Sequence, residues 1–339
     1  MSATENAPRI LSYRAALREA LIEELQRDPT VFVMGQDVGP FGGVFGVTKG
    51  LTEMFGKSRV FDTPISENLI VGGGVGAALA GARPVVELQY ADFALIAMDE
   101  ILNKAAKWRY MHGGSQSVPL VIRAPEGILG GLGPEHSQSL AQYFWGAFGL
   151  KVAMPATPAD AKGMLKAAIR DDDPVLFLEN KSLYNRRGPV PEDDYVIPLG
   201  VAATPRTGGD VTIVAWSRMV SVSLKAAETL AAEGIEAEVI DPRGIRPLDF
   251  DTILASLDRT GRLVVVHEGP VTGGLAGELI AQIVEARFDS LKAAPVRVAG
   301  LDAYVPQNIE LEPLLTPDAD AVAAAVRRTL TRQPAKTAG

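Results

Sequence analysis

The clearest candidate for chemistry in this sequence is Glu67. It stands between a turn at Pro64 and an uncharged run of small and aliphatic residues, 68–81. A carboxylate that enters an apolar helix costs several kcal/mol if it is buried without a partner. It must therefore reach solvent, cap the helix N-terminus or meet a ligand, and the abundance of acids at helix starts favours the cap.

His136 is the second candidate, in the glycine-rich stretch GGLGPEHSQS, residues 130–139. A loop can carry an imidazole into a cleft, where the ring titrates near neutral pH, although a lone loop histidine is more often a surface group. The other histidines, His112 and His267, give no metal-ligand spacing, and there is no cysteine and no Gly-x-Ser-x-Gly motif. These facts disfavour a zinc site and a serine hydrolase.

Two glycine runs raise the alternative of an NAD-dependent oxidoreductase. A dinucleotide loop needs a strand directly before its glycines and an acid about 20 residues later. Residues 72–76 follow the Pro64 turn instead. We therefore interpret Gly76, Ala77, Ala80 and Gly81 as a helix face that lets another helix approach closely. The run within 267–277 follows a predicted strand, but it lacks the Lys-Ser/Thr pair of a phosphate loop.

Composition limits the classes of protein further. A chain of 339 residues is expected to form about two domains. Hydrophobic residues make up 47% and aromatics 6%, with 34 glycines, which favours helices packed closely on parallel strands. The net charge of −8 gives no basic footprint for nucleic acid or anionic lipid. No signal-peptide pattern or apolar run of about 18 residues is present, so we expect a cytoplasmic protein.

Strand and helix patterns alternate along the whole chain. A helix bearing Leu17, Leu21 and Leu25 ends at Asp28-Pro29. In the first half, strands are predicted at 31–34, 83–90, 118–124, 150–155 and 174–180, and helices at 93–114 and 157–174. In the second half, strands are predicted at 211–216, 236–243 and 261–268, and helices at 219–235, 249–256 and 273–288.

A stretch rich in proline, glycine and charge, 185–210, has the composition of a connector. We therefore predict a first domain over 1–190, a linker over 191–205 and a second domain over 206–335. The alternation on both sides predicts two α/β domains with mainly parallel sheets.

Taken together, these motifs resemble one family, the β subunits of thiamine-diphosphate-dependent 2-oxo acid dehydrogenases of the pyruvate, branched-chain and acetoin types. The resemblance extends from about residue 9 to 330. It is carried by the segments FDTPISE (61–67), ELQYADF (87–93), DEILNKAAKWRYMHGG (99–114), HSQS (136–139) and VVVHEGPVTGG (264–274). It implies two transketolase-type domains: a pyrimidine-binding domain, then a C-terminal domain used in assembly.

The resemblance also implies partners. Family members pair with an α subunit in an α2β2 heterotetramer, hold thiamine diphosphate across the α–β interface and serve a lipoyl acyltransferase core. This chain has no Gly-Asp-Gly followed by Asn-Asn, the family's metal–diphosphate motif, so the α subunit is expected to supply the magnesium ligands. The implied reaction decarboxylates a 2-oxo acid, or cleaves acetoin, and passes the acyl group to lipoamide.

Roles for single residues follow from the same resemblance. Glu67 matches the glutamate that hydrogen-bonds N1′ of the aminopyrimidine and so helps the thiazolium C2 proton to leave. Gln89 and Phe93 match residues around the pyrimidine ring, and His136 matches an active-site histidine that assists the substrate and acyl transfer. The carbonyls expected to form a structural potassium site, as in some members, belong to Leu120, Ala168, Ile169, Asp171 and Asp173.

Three positions depart from the family pattern. Gln36 stands where an acid is usual, Asn68 where glutamine is frequent, and Ala147 where many members have a second active-site histidine. Gln36 and Ala147 keep open a divergent, non-catalytic assembly subunit as an alternative. The substrate stays open among pyruvate, branched-chain 2-oxo acids and acetoin, with 42–50 and 99–114 slightly favouring the acetoin and pyruvate types.

Overall fold

A computed structural model describes residues 9–331 of the chain. Its contacts divide the chain into two compact units. The first unit ends at Pro125 and resumes over Ala147–Leu199, whereas the second continues from Gly200 and also includes Glu126–Gly146. We call Glu126–Gly146 the inserted segment, because it interrupts the first unit in sequence but packs with the second.

The first unit alternates strands and helices. Its strands are β1 (Ile10–Ser12), β2 (Val31–Gly35), β3 (Val60–Asp62), β4 (Arg83–Glu87), β5 (Val121–Glu126), β6 (Lys151–Ala153), β7 (Val175–Asn180) and β8 (Arg187–Pro189). Its α-helices are α1 (Tyr13–Arg27), α2 (Leu51–Phe55), α3 (Glu67–Leu79), α4 (Trp108–Met111) and α5 (Pro158–Arg170). Shorter helical pieces are the 3₁₀ turns Ala91–Leu95 and Lys181–Leu183 and the π-helix Asp99–Ala105.

Six strands of this unit form one sheet, in the order β6-β7-β5-β4-β2-β3. The pairs β2–β3, β2–β4, β4–β5 and β6–β7 are parallel. β1 and β8 form a separate antiparallel pair. The sheet is therefore mainly parallel, as predicted.

α1 shows why these residues form these elements. The Ser12 hydroxyl caps it by accepting from Ala15 N at 3.2 Å, and Leu17, Leu21 and Leu25 are buried, as their spacing predicts. This face packs on α5 in the core of the unit. The contact is bordered by ion pairs between the two helices, Lys162–Glu19, Lys162–Glu23 and Lys166–Glu23.

The single helix predicted over 93–114 is wrong in type. The segment is a 3₁₀ turn, a π-helix and the four-residue α4, and Ala106 N donates to Ile101 O at 3.0 Å, five residues back. Ala94, Ala97, Ile101 and Ala105 are nonetheless all buried. Since this spacing suits either kind of helix, periodicity could not distinguish them.

The second unit repeats the alternation. Its strands are β9 (Ala203–Arg206), β10 (Val211–Ala215), β11 (Ala237–Asp241), β12 (Gly244–Arg246), β13 (Leu263–Pro270) and β14 (Val296–Gly300). Its helices are α6 (Arg218–Ala231), α7 (Phe250–Thr260), α8 (Leu275–Arg287) and α9 (Ala319–Thr331), with 3₁₀ turns at Ala141–Phe144, Phe288–Ser290 and Glu312–Leu314.

Five strands form the sheet of this unit, in the order β14-β13-β10-β11-β9. β10 pairs in parallel with β11 and β13, β13 with β14 in parallel, and β9 antiparallel to β11. Every residue of β10 and β11 is buried. The predicted α/β character of this half is confirmed. The strands β9, β12 and β14 and the helix α9 had no predicted counterpart. Within residues 9–331, no helix combines the length and the apolar surface that crossing a bilayer requires.

Candidate functional site

The carboxyl ends of three adjacent strands define the candidate site in the first unit. Gly35, the last residue of β2, lies opposite Asp62 of β3 and Glu87 of β4. Ligands of parallel α/β sheets bind where carboxyl ends meet. The edge therefore brings together the segments that follow these strands, 36–50, 63–67 and 88–93.

Glu67 begins α3 but does not cap it. Ser66 is in extended conformation, and its hydroxyl accepts from Leu69 N at 3.4 Å, so the favoured interpretation of Glu67 as the cap is wrong. The Glu67 side chain is buried, and the residue is only 8% exposed. In the described part of the chain, no hydrogen bond or ion pair reaches its carboxylate. Of the three alternatives, a ligand with a hydrogen-bond donor accounts best for this acid.

A glycine fixes α3 against the sheet. A Cβ at Gly74 would lie 2.8 Å from Val86 Cγ1 and 2.9 Å from Leu120 Cδ1, so the helix backbone rests directly on β4 and its neighbour. At Gly76, by contrast, no described atom lies within 4 Å of that position. The sequence predicted that another helix would approach closely at Gly76. The close approach is instead made by Gly74, and to the sheet, because Gly76 lies on the exposed side of α3.

Gln89 is oriented by Asp37, a residue that the sequence analysis did not single out. Gln89 Nε2 donates to Asp37 Oδ2 at 2.9 Å, across the ends of β4 and β2. Asp37 adopts a left-handed conformation, with φ 58°, and its carbonyl accepts from Gly43 N at 2.7 Å. Because the amide NH₂ is committed to Asp37, the Gln89 carbonyl oxygen is left to face another partner. No pattern in the sequence marks this bond.

Phe93 belongs to a group of aromatic rings at the same edge. It lies in the 3₁₀ turn Ala91–Leu95 and is half-buried. Its ring meets Tyr90 edge-on, with centroids 5.9 Å apart, and Tyr90 meets Phe45 in the same way at 5.8 Å. The edge thus offers aromatic surface close in sequence to Gln89.

A buried charge cluster lies beneath this edge. Arg123 donates to Glu87 and, at 2.7 and 2.8 Å, to both oxygens of Glu179, while the Tyr184 hydroxyl donates to Glu179 at 2.7 Å. Burial raises the pKa of Glu87; Arg123 opposes the shift and the Glu179 carboxylate adds to it. Burial, and then the Glu179 charge, raises the pKa of Tyr184 well above its usual range.

His136 belongs to the second unit, on the inserted segment. It is half-buried, and its backbone N approaches Gly133 O at 3.5 Å. The next residue, Ser137, is completely buried, and its hydroxyl finds no hydrogen-bond partner among residues 9–331. Ser137 lines a cavity of about 520 Å³ whose other walls come from Glu268–Pro270 and Gly300–Val305. The structure thus places His136 in one unit and Glu67, Gln89 and Phe93 in the other.

The residues of the predicted potassium site lie together in the first unit, but several of their oxygens already have partners. Arg83 donates to the carbonyls of Ile169 and Asp171, at 3.1 and 2.9 Å. Val175 N donates to Leu120 O and Asp171 N to Ala168 O. The Lys151 ammonium pairs with the Asp171 carboxylate, and Arg109 with Asp173. No cluster of three or more His, Asp or Glu side chains suited to a metal occurs in 9–331. The potassium site stays a prediction.

Comparisons with known proteins match both halves of the chain. The family described as "Transketolase, pyrimidine binding domain" matches residues 10–187, and "Transketolase, C-terminal domain" matches 200–322. A solved structure described as a split-gene transketolase, an inactive β4 tetramer, aligns with a TM-score of 0.77 and 26% identity over 96% of this chain and all of that one. The predicted fold, two transketolase-type domains, is confirmed.

Three curated relatives are similar along nearly their whole length. The β-1 subunit of the mitochondrial pyruvate dehydrogenase E1 component of Arabidopsis thaliana is 47% identical over 95% of this chain and 90% of its own. The β subunit of acetoin:2,6-dichlorophenolindophenol oxidoreductase of Cupriavidus necator is 46% identical, over 95% and 98%. The 2-oxoisovalerate dehydrogenase β subunit of Bacillus subtilis is 44% identical, over 94% and 98%.

Proposed function

Because this chain belongs to the β subunits of thiamine-diphosphate-dependent 2-oxo acid dehydrogenases, we propose that it forms the aminopyrimidine side of an active site shared with an α subunit. The single observation that supports this best is Glu67: a buried carboxylate with no partner in the described chain, held at the edge where the sheet binds ligands. The relatives give no support to a non-catalytic assembly subunit or to an NAD-dependent oxidoreductase.

The residues at the edge fit an aminopyrimidine. Thiamine diphosphate, when bound, supplies an acidic thiazolium C–H and a ring that accepts electrons during decarboxylation. Glu67 would hold a proton between its carboxylate and N1′ of the pyrimidine. Gln89, with its NH₂ turned to Asp37, offers an acceptor oxygen, and Phe93 offers aromatic surface. His136 would hold or release a proton for the substrate and during acyl transfer.

We infer the partner and the substrate from the same family membership. The diphosphate and its magnesium would be held by the α subunit, and the acyl group would pass to a lipoyl acyltransferase. We infer an α2β2 assembly, located in the cytoplasm. Acetoin and pyruvate are the substrates that we favour, and the relatives include enzymes named for both, as well as for 2-oxoisovalerate. Competition among the three in the reconstituted enzyme would decide, and a clear preference for the branched-chain acid would contradict us.

The central test replaces Glu67. Glu67→Gln keeps the size of the side chain but removes the anion, so C2-proton exchange of the cofactor in the αβ complex should fall by about 10²–10⁴-fold. Ser66→Ala is the matched control, because it removes the actual cap and should cost about 1 kcal/mol of stability while leaving exchange nearly intact. An exchange rate within a few-fold of wild type in Glu67→Gln, with cofactor bound, would refute the proposal.

A second test concerns the partner. The chain alone should bind thiamine diphosphate poorly and gain affinity on mixing with its α subunit, since an interfacial site needs both walls. Calorimetry of the cofactor with the chain alone and with the mixture measures this. Micromolar binding to the chain alone would contradict a shared site.

A further inference from the structure

Glu312 holds a turn of the inserted segment by its backbone. Its two carboxylate oxygens accept from consecutive amides, Gly131 N at 2.6 Å and Gly130 N at 3.1 Å. Glu312 is 9% exposed, and both glycines are left-handed, with φ near +75°. Successive N–H groups converging on an anion form a nest, and hydrogen bonds to a charged acceptor are stronger than neutral ones.

The turn admits no side chain on its inner side. A Cβ at Gly131 would lie 2.6 Å from the carbonyl oxygen of Gln307 and 3.0 Å from Ile309 Cγ2. Space and conformation therefore both require glycine here. A glycine turn is costly to order, so its single shape depends on the contacts that Glu312 and its neighbours provide.

A second carboxylate holds the start of the same turn. The strand order of the second sheet reverses between β10 and β13, the place where such sheets form their ligand crevice. Arg218, which begins α6 after β10, pairs there with Glu268 of β13 at 3.2 Å, and the other Glu268 oxygen accepts from Ile128 N at 2.8 Å. In this unit the crevice receives the inserted segment.

His136 lies on the returning arm of this loop. Gly127 N donates to Gln138 O at 3.1 Å, which closes the base, so His136 stands between a closed base and a turn held by Glu312. Three amides of the outgoing arm are therefore fixed by two acids that are distant in sequence.

We propose that Glu312 and Glu268 are positioning residues for His136: they fix the glycine turn, and through it the place of the imidazole. The catalytic importance of this positioning rests on the role of His136 in the proposed function. The anchoring of the loop by Glu312 and Glu268 is independent of that role, because it is a property of the second unit alone.

The first test measures the loop directly. Glu312→Gln keeps the length of the side chain but sets an NH₂ group against a backbone N–H, so amide hydrogen exchange of the peptide covering 127–136 should rise by about tenfold or more. Glu310→Gln is the matched control: it removes the same charge two residues away, on an exposed side chain whose carboxylate makes no hydrogen bond or ion pair with residues 9–331. Unchanged exchange in Glu312→Gln, or an equal rise in Glu310→Gln, would overturn the proposal.

A second variant approaches from the other side. Gly131→Ala should also raise hydrogen exchange of the 127–136 peptide. The double variant Gly131→Ala/Glu312→Gln should raise it only slightly more than the larger single effect, since both substitutions break the same contact between Glu312 and the glycine turn. This variant decides the matter if Glu312→Gln does not fold. Independent, additive effects would contradict the anchoring.

The last test uses the reconstituted αβ holoenzyme. Glu312→Gln should lower acyl transfer to lipoamide about tenfold and leave C2-proton exchange within about twofold, because C2-proton exchange depends on Glu67 and not on His136. His136→Ala in the same assays tests the proposed role of the histidine separately. The positioning role is refuted if His136→Ala lowers acyl transfer but Glu312→Gln, with its loop shown to be loosened by hydrogen exchange, does not. If His136→Ala has no effect, the proposed role of His136 is wrong, and the hydrogen-exchange experiment alone decides whether Glu312 anchors the loop.

Discussion

Glu67 and Glu87 are both buried carboxylates at one sheet edge, but their charges are balanced differently. Glu87 has Arg123 as an internal partner, whereas Glu67 has none in the described chain. A buried acid that is paired with an internal cation contributes to the fold, and removing either partner leaves the other charge buried without compensation. A buried acid without one is available to a ligand, and this distinguishes Glu67 from Glu87.

Asp37 allows a test of how Gln89 is oriented. Asp37→Gly removes the acceptor but suits φ 58°, so stability should change little, while thiamine diphosphate affinity in the αβ complex should fall about three- to tenfold, the effect of one hydrogen bond. Asp37→Asn keeps an acceptor oxygen and is the control. Calorimetric titration of the cofactor measures the affinity of both variants. Equal affinities in Asp37→Gly and wild type would show that the hydrogen bond from Gln89 to Asp37 does not contribute to cofactor binding.

His267 gives stability a pH dependence. Burial, and then the charge of Arg297, lowers its pKa from 6.5 to about 4, and its Nε2 has no partner within 9–331. The unfolded chain takes up this proton first, so the contribution is complete above pH 6.5 and is lost as pH falls toward 4. Between pH 7 and 4, wild type should lose up to about 3 kcal/mol of unfolding free energy relative to His267→Leu.

Denaturant unfolding of both proteins at several pH values measures this difference. If the unfolding free energies of wild type and His267→Leu changed in parallel with pH across that range, the His267 ring would not be buried in its neutral form.

The elements show what the sequence could and could not predict. Apolar spacing and the break at Asp28-Pro29 predicted α1, and the helix predicted over 157–174 matches α5, since such signals are local. Of the three strands whose carboxyl ends form the candidate site, β2 and β4 lie at predicted places, whereas β3 had no predicted counterpart. The bond between Gln89 and Asp37, and the contact of the inserted segment with Glu312, join positions 52 and about 180 residues apart. Such pairings depend on tertiary packing, which no window of sequence reports.

The glycines of α3 make a matched pair. Gly74→Ala should push the helix from the sheet and cost about 1–3 kcal/mol, because its Cβ would meet Val86 and Leu120. Gly76→Ala has open space in the described chain and should stabilise the isolated protein by about 0.5–1 kcal/mol. Urea unfolding compares the two, and equal effects would mean that α3 does not rest on the sheet as described.

The chain passes between the two units three times, at 125/126, 146/147 and 199/200. A cut between the units therefore does not release them. A specific protease site placed after Val201, which is 46% exposed, should give two fragments that elute together in gel filtration and separate only in denaturant. The reason is that the N-terminal fragment keeps the inserted segment. Separation without denaturant would contradict the division into units.

The same inserted segment sets an order of events during synthesis. Gly130 is translated about 180 residues before Glu312, and translation at about 5–20 residues per second leaves an interval of about 10 to 40 s. Throughout that interval the glycine turn lacks the carboxylate that shapes it, although β5, the strand before it, has already been translated. His136 is thus translated long before the acid that completes its surroundings.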